Sequence, residues 1–400
     1  MALGKTKEQV GEEMKKLLSV LLTLALAVSL SLVAVTPVAA ATTINVPSDY
    51  STIQAAVNNA TAGDTIIVAA GTYNLTASIK VDKSVSIIGD PSNPENVVIN
   101  CETIVNKQPS NYPGQPGLWE RDRDGFQVAA NDVVIKGFKI INALTVTFGE
   151  GDGWQNAGIT VGGDITLLDW LDPNNVPLLI NGGTLSDNII ENCSHGIYLA
   201  MSKNVMVSNN IIRGSTCVPG RESYDGEGIV SWNTKWWGTY QDPTGNIIEG
   251  NVIEDCERIG ICLGAWGERF SVSGTVIRNN AIRNSLQWTG IALMYIDGPL
   301  SITGNNISNN PEGISILGGE ANCTNISVNF NNIVDNTNYG INNGGPNVVD
   351  ATNNYWGSPT GPSRELPNGK WVGKGDKVSS DVDYTPWLPQ PIEFWHHLPR

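Results

Sequence analysis

Apolar positions between residues 185 and 356 recur in a fixed frame. The phrase Asn-x-Ile-x-(Asn/Asp/Gly) appears six times, as Asn188-Ile190-Asn192, Asn210-Ile212-Gly214, Asn251-Ile253-Asp255, Asn280-Ile282-Asn284, Asn305-Ile307-Asn309 and Asn331-Ile333-Asp335. Three residues before each Asn stands Leu185, Val207, Ile248, Ile277, Ile302 or Val328. A Gly-Ile pair follows each phrase, at Gly196, Gly228, Gly260, Gly290, Gly313 and Gly340. Successive anchors lie 22, 41, 29, 25 and 26 residues apart, with Asn353 after another 22. Such a repeat predicts a solenoid, in which each unit buries its apolar face only against its neighbours.

Each repeat reads as one coil of a parallel β-helix, with strands of successive coils about 4.8 Å apart. The Ile of the phrase and the apolar residue before it point into the core, and the Gly-Ile pair opens the next strand. The phrase Asn is placed at a corner, where it tolerates left-handed backbone and its amide can bond along the stack. At about 25 residues per coil, residues 42–356 are expected to make ten to twelve coils once insertions are discounted.

Residues 1–41 read as an export signal: Lys15-Lys16, an apolar run from Leu17 to Val35, then Ala39-Ala40-Ala41. The run is long enough to span a bilayer, so a retained anchor is the alternative. The segment Ser51-Thr52-Ile53-Gln54 fits a capping box, and Ile53, Ala56, Val57 and Ala60 follow at helical spacing. A short helix over 51–60 would cover the open end of the solenoid. Strands are expected at 65–68, 85–88 and 97–99. This opening, "TIQAAVNNATAGDTIIVAAGTY", together with the Asn and Gly-Ile coils, resembles the pectin-lyase-like right-handed β-helix proteins, pectinesterases included. The resemblance covers nearly all of residues 42–356. It implies the fold but no single activity, since that superfamily spans lyases, hydrolases, esterases and non-enzymes. The segment "NNYWGSPTGPS…GDKVSSDVDYTPWL", residues 353–388, resembles the closing segment of secreted β-helix repeat proteins, with Tyr355, Trp356, Trp387 and Leu388 as apolar contacts of a lid; 357–400 is read as this capping segment and a loose tail.

The net charge of −15, near −16 without the leader, argues against nucleic acid and anionic membranes as partners. No stretch after the leader is apolar enough to cross a membrane. Six cysteines match no dense disulfide framework. Cys193 and Cys256 share a repeat position with Ser215 and Ser285, which suits small residues stacked in a core column better than a bridge. Cys217, in a long loop, is the better bridge candidate.

Four insertions, 101–125, 143–180, 216–226 and 231–245, break the regular coils. The last two flank a single strand and should rise together from one part of the wall. Trp119, Trp154, Trp232, Trp236, Trp237, Trp266, Trp288 and Tyr224 lie in these insertions or at corners. Such rings either form small loop cores or grip a sugar by packing on its apolar face while charged groups take its hydroxyls. Hydrolysis requires two carboxylates at a set separation, and β-elimination a base with a group that neutralises a uronate. Asp225 and Glu227 with Arg221, or Asp122 and Asp124 with Arg123, are the candidates. The paired-Asp, Gly-His-Gly and Arg-x-Lys motifs of polygalacturonases and the catalytic segments of pectinesterases are absent. His195 precedes Gly196 at a regular coil corner and reads as a solvent-exposed histidine. The sequence identifies no cofactor; the Asp-rich loops could take Ca2+. Copper-associated periplasmic β-helix proteins offer an analogy that three His and five Met support poorly. The expected partner is an extracellular polysaccharide or cell-envelope glycan, bound or cleaved along the insertion wall of a secreted or cell-surface protein.

Overall fold

The structure is a computed structural model that describes residues 40–104, 111–112, 115–116, 123–144, 156–162, 179–200, 202–217, 226–232, 243–264, 270–318, 323–366 and 368–393, with Glu12 and Lys15. The leader's apolar run lies outside them. Among the described residues, no helix is long and apolar enough to cross a membrane.

Three long sheets of parallel strands wind around one core. In each coil a strand of the first wall, such as Thr184–Ser186, leads to one of the second, Ile189–Glu191, and one of the third, His195–Leu199. Every register pair along these walls is parallel, from Thr43–Val46 on Thr65–Val68 to Val349–Asp350 on Val382–Asp383. Among the described residues the second and third walls have nine strands each, so nine coils there carry all three walls, against ten to twelve expected from spacing. First-wall strands at the two ends, such as Thr43–Val46 and Val382–Asp383, add rungs to that wall alone.

The core is built as the repeat predicts. Leu185, Val207, Ile248, Ile277, Ile302 and Val328 stack in one buried column, and Ile190, Ile212, Ile253, Ile282, Ile307 and Ile333 in another. The phrase Asn differs from expectation in one respect. The left-handed residue is the one before it: Asp187, Asn209, Gly250, Asn279, Gly304, Phe330 and Asn353 all have φ between 55° and 68°. The Asn itself is turned inward and buried. Backbone N and Nδ2 of Asn188 donate to Oδ1 of Asn210 at 3.1 and 3.0 Å, and Asn210 does the same to Asn251 at 3.0 and 3.0 Å. The ladder continues through Asn280, Asn305 and Asn331 and ends on Asn354, one residue beyond the Asn353 picked out by spacing. It satisfies the backbone N–H groups that a tight corner strips of strand partners, which a buried corner must do.

The helix Ile53–Asn59 buries Ile53, Ala56 and Val57 at the first coil. Its cap is Thr52, whose hydroxyl accepts from Ala55 N at 3.1 Å, rather than Ser51. Gln54 is therefore free of the capping box and pairs with the edge of the third wall: Lys80 N donates to Oε1 at 2.7 Å, and Nε2 donates to Lys80 O at 3.1 Å. At the far end Trp356 is fully buried, and Pro362–Glu365, Trp371–Val372 and Gly375–Lys377 form a small three-stranded sheet.

Cys193 and Cys256 sit in the core column expected of small residues. Burial pushes both thiols up to about 12. All six cysteines are thiols, so Cys217 forms no bridge. Its backbone N–H instead donates to Glu257 Oε2 at 2.7 Å, beside Thr216 Oγ1 at 2.9 Å, and this carboxylate ties the root of the 216–226 loop to the next coil.

Candidate functional site

Longer segments outside the described residues adjoin third-wall strands in the sequence: 117–122 and 145–155 precede Phe126–Val128 and Ala157–Val161, 163–178 follows the latter, 218–225 and 233–242 bracket Glu227–Trp232, and 265–269 follows Ile259–Gly264.

Two kinds of column run up that wall. Phe126, Ile159, Ile197, Ile229, Ile261, Ile291, Ile314 and Ile341 point inward and are fully buried. Two residues earlier in register stand Ala157, His195, Glu227, Ile259, Thr289, Glu312 and Tyr339, one per coil. Asp124, two residues before Phe126, begins the same column. Ala157 and Ile259 of this column pack with Tyr198, Val230, Cys262 and Ala292 in an apolar cluster separate from the main core. The column thus faces away from the core, across the Gly that follows each member. At Gly228 an added Cβ would lie 2.6 Å from the Gly260 carbonyl oxygen and 2.6 Å from Ile253 Cγ2, so the coils meet backbone to backbone there.

Repetition at 4.8 Å sets His195 beside Glu227. His195 Nδ1 lies 2.9 Å from Glu227 Oε2, and Arg258 Nη1 donates to Glu227 Oε1 at 2.6 Å. The guanidinium of Arg258 also lies over the Trp288 ring, 5.5 Å from its centroid. The Tyr198 ring is 5.7 Å from that of His195. His195 is 1% exposed, which corrects the reading of a solvent-exposed corner histidine: it opens a strand and faces a carboxylate. A buried carboxylate held between two basic side chains is a compensated charge of the kind that survives burial.

Of the candidates, Arg123, Asp124, Glu227 and Trp288 are on this wall. Asp124 is fully buried; Oδ1 accepts from Ala157 N at 2.7 Å and Oδ2 from Gln127 Nε2 at 3.2 Å. Burial lowers the pKa of Arg123, with the nearby Cys101 thiol opposing. Asp124 and Glu227 are three rungs apart, about 14 Å along the column, and each is engaged by its own neighbours. Trp232 ends the strand Glu227–Trp232, in register with Gly264. Trp119, Asp122, Trp154, Arg221, Tyr224, Asp225, Trp236, Trp237 and Trp266 lie outside the described residues. Sequence reasoning missed Arg258 and Tyr198 and set His195 aside. The signal was present: aligned on the Gly-Ile pair, the preceding residues read His195, Glu227, Ile259, Thr289, Glu312 and Tyr339.

Among the described residues, no three His, Cys, Asp or Glu gather in a way that could hold a metal ion. The copper analogy therefore finds no donor set there: His195 faces Glu227, and the Cys193 and Cys256 thiols are buried in the core. The Asp-rich stretch 152–172 considered for Ca2+ is largely outside those residues.

Residues 176–270 match the family model described as periplasmic copper-binding protein (NosD). No curated protein matches the sequence. Among solved structures, an alginate lyase from Paenibacillus sp. str. FPU-7 is similar at 16% identity and TM-score 0.58, over 86% of this chain and 99% of that one. A rhamnogalacturonan lyase (14%, TM-score 0.53, 86% and 84% covered) and the pectate lyase Pel9A (12%, 0.52, 84% and 74%) are similar as well. At these identities the likeness is one of fold. With three parallel walls and an almost wholly β chain, the protein folds as a right-handed parallel β-helix, the fold it shares with these lyases.

Proposed function

We propose that this is a secreted or cell-surface protein that binds an extracellular polysaccharide or cell-envelope glycan on the outer face of its third wall. One observation carries the reading: the long insertions, with most of the non-core tryptophans, all join strands of the wall whose outward column bears Asp124, His195 and Glu227. On this reading Trp288 and Arg258 contact the sugar. His195 and Glu227 are positioning residues that hold Arg258, and 216–226, with Arg221 and Tyr224, and 231–245, with Trp232, Trp236 and Trp237, would supply the rim. A half-buried ring backed by a guanidinium offers a flat apolar face and hydrogen-bond donors side by side, which suits a sugar's ring and hydroxyls. Residues 1–41 would direct export, 42–356 present the wall and 357–400 close its far end.

The test is binding to a broad polysaccharide panel by wild type, Trp236→Ala, Trp288→Ala and Glu227→Gln. Binding that is lost or weakened about tenfold in the tryptophan variants, the size of one aromatic contact, supports the reading. Absence of binding by wild type to every glycan sinks it.

Turnover in the same groove is a second reading, favoured by His195 Nδ1 lying against Glu227. A carboxylate on one ring nitrogen orients an imidazole for proton transfer, and β-elimination or hydrolysis each use such a step. Release of reducing ends or unsaturated uronates, abolished in His195→Ala, would establish it. A panel that binds without releasing either product leaves binding alone.

A further inference from the structure

The outward column continues beyond the patch around Trp288. Glu227, Ile259, Thr289, Glu312 and Tyr339 stand on successive coils, four rungs spanning about 19 Å. At the last rung the C-terminal sheet meets the wall. Lys377 sets its Nζ 4.3 Å from the Tyr339 ring centroid and 5.5 Å from that of Trp371. One coil before, Glu312 accepts from Asn342 Nδ2 at 2.9 Å and from Ser315 Oγ.

Two features separate this cluster from a plain end cover. A cover needs its large rings buried, as Trp356 is, yet Trp371 is 49% exposed. An ammonium beside an acidic wall would also be expected to take a carboxylate, yet among the described residues Lys377 forms no ion pair and is held only by two ring faces. An open ring face, an unpaired ammonium and a carboxylate within one rung can together pack a pyranose and bond its hydroxyls.

We propose that Tyr339, Lys377 and Trp371, with Glu312, form a terminal sugar subsite in line with Trp288 and Arg258, so that the wall takes an extended glycan rather than one sugar. The inference rests on the glycan-binding reading above and assigns that site its length and its far end. The competing account is that Lys377 merely braces the lid.

The experiment is calorimetric titration of the full-length protein with short and long oligosaccharides of mannan, xylan and polygalacturonate. Wild type, Trp371→Ala, Lys377→Met and Trp288→Ala are compared. The expected result is tighter binding of long than short chains by wild type. Trp371→Ala and Lys377→Met should weaken the long chains about tenfold and leave the short ones unchanged, while Trp288→Ala should weaken both. Lys377→Met keeps apolar cover between the rings, so a lid that loosens in Trp371→Ala does not decide the outcome. If long chains bind both lid variants as they bind wild type, or if wild type does not distinguish lengths, the subsite is overturned and the wall reading stands. If wild type binds no probe, both fall together. The neutral and acidic series also report whether Lys377 meets a hydroxyl or a carboxylate.

Discussion

Replacing Asn280 by Ala tests whether the Asn ladder or the aliphatic core holds the coils in step. Asn280 Oδ1 accepts from Asn251 N and Nδ2, both at 2.9 Å. Its own Nδ2 donates to Ile248 O and Asn305 Oδ1, both at 2.9 Å. The substitution removes all four bonds but strands their partners unequally. Asn251 Nδ2 keeps Val207 O at 2.9 Å, and Asn305 Oδ1 keeps the backbone N of residue 280 at 2.9 Å. The Asn251 backbone N–H loses its acceptor in a fully buried site. An orphaned buried group costs about 1–3 kcal/mol and each of the three further lost bonds about 1 kcal/mol, so the loss should be about 4–6 kcal/mol. Asn279→Ala on the exposed neighbour, with φ of 56°, should lose the left-handed preference and one long exposed bond, from Nδ2 to Glu249 Oε1 at 3.4 Å, about 1–2 kcal/mol in all. Urea unfolding followed by circular dichroism measures both. An Asn280→Ala loss below 1 kcal/mol, or one no larger than that of Asn279→Ala, would refute the claim that the ladder holds the corner.

Three further outcomes follow. Burial raises Asp376 to about 6, although it accepts from Asn336 N and Nδ2. A raised acid stabilises the fold below its unfolded value near 4, and that stabilisation is lost as pH rises through about 6, a difference of roughly 1–3 kcal/mol. Asp376→Asn, which would extend the Asn310–Asn336 column, should therefore gain that much at pH 7.5 and little at pH 4; equal gains at both would contradict it. Glu227→Ala strands Arg258 and His195 and should cost about 3–5 kcal/mol, with Glu227→Gln losing less; melting curves that match wild type would show the network is idle. Phe330 is 51% exposed with φ of 56° in the column otherwise filled by Asp, Asn and Gly. Phe330→Asn should raise stability by about 1 kcal/mol, checked by thermal unfolding, and a lower melting temperature would mean the ring has contacts that offset its strain.

What the chain's own order determined is the scaffold. The apolar position three before each Asn, the Ile two after it and the Gly-Ile pair are local and repeat, so one-dimensional spacing carries three walls and the core. That suffices because each coil meets only its neighbours, and equivalent residues must stack. Local order did not decide which side of a corner is left-handed, because Asp187-Asn188 and Asn209-Asn210 offer two residues of similar turn preference. Only the ladder, made by side chains 22 to 41 residues apart, selects the second for burial. The site shows the same limit more strongly. His195, Glu227 and Arg258 fall on three coils whose loops differ in length, and the Gly-Ile pair aligns the first two without showing that they touch or that Arg258 joins them. Their meeting is a product of strand register, which stacks one outward position per coil and leaves a buried carboxylate to be neutralised by whatever stands on the neighbouring rungs.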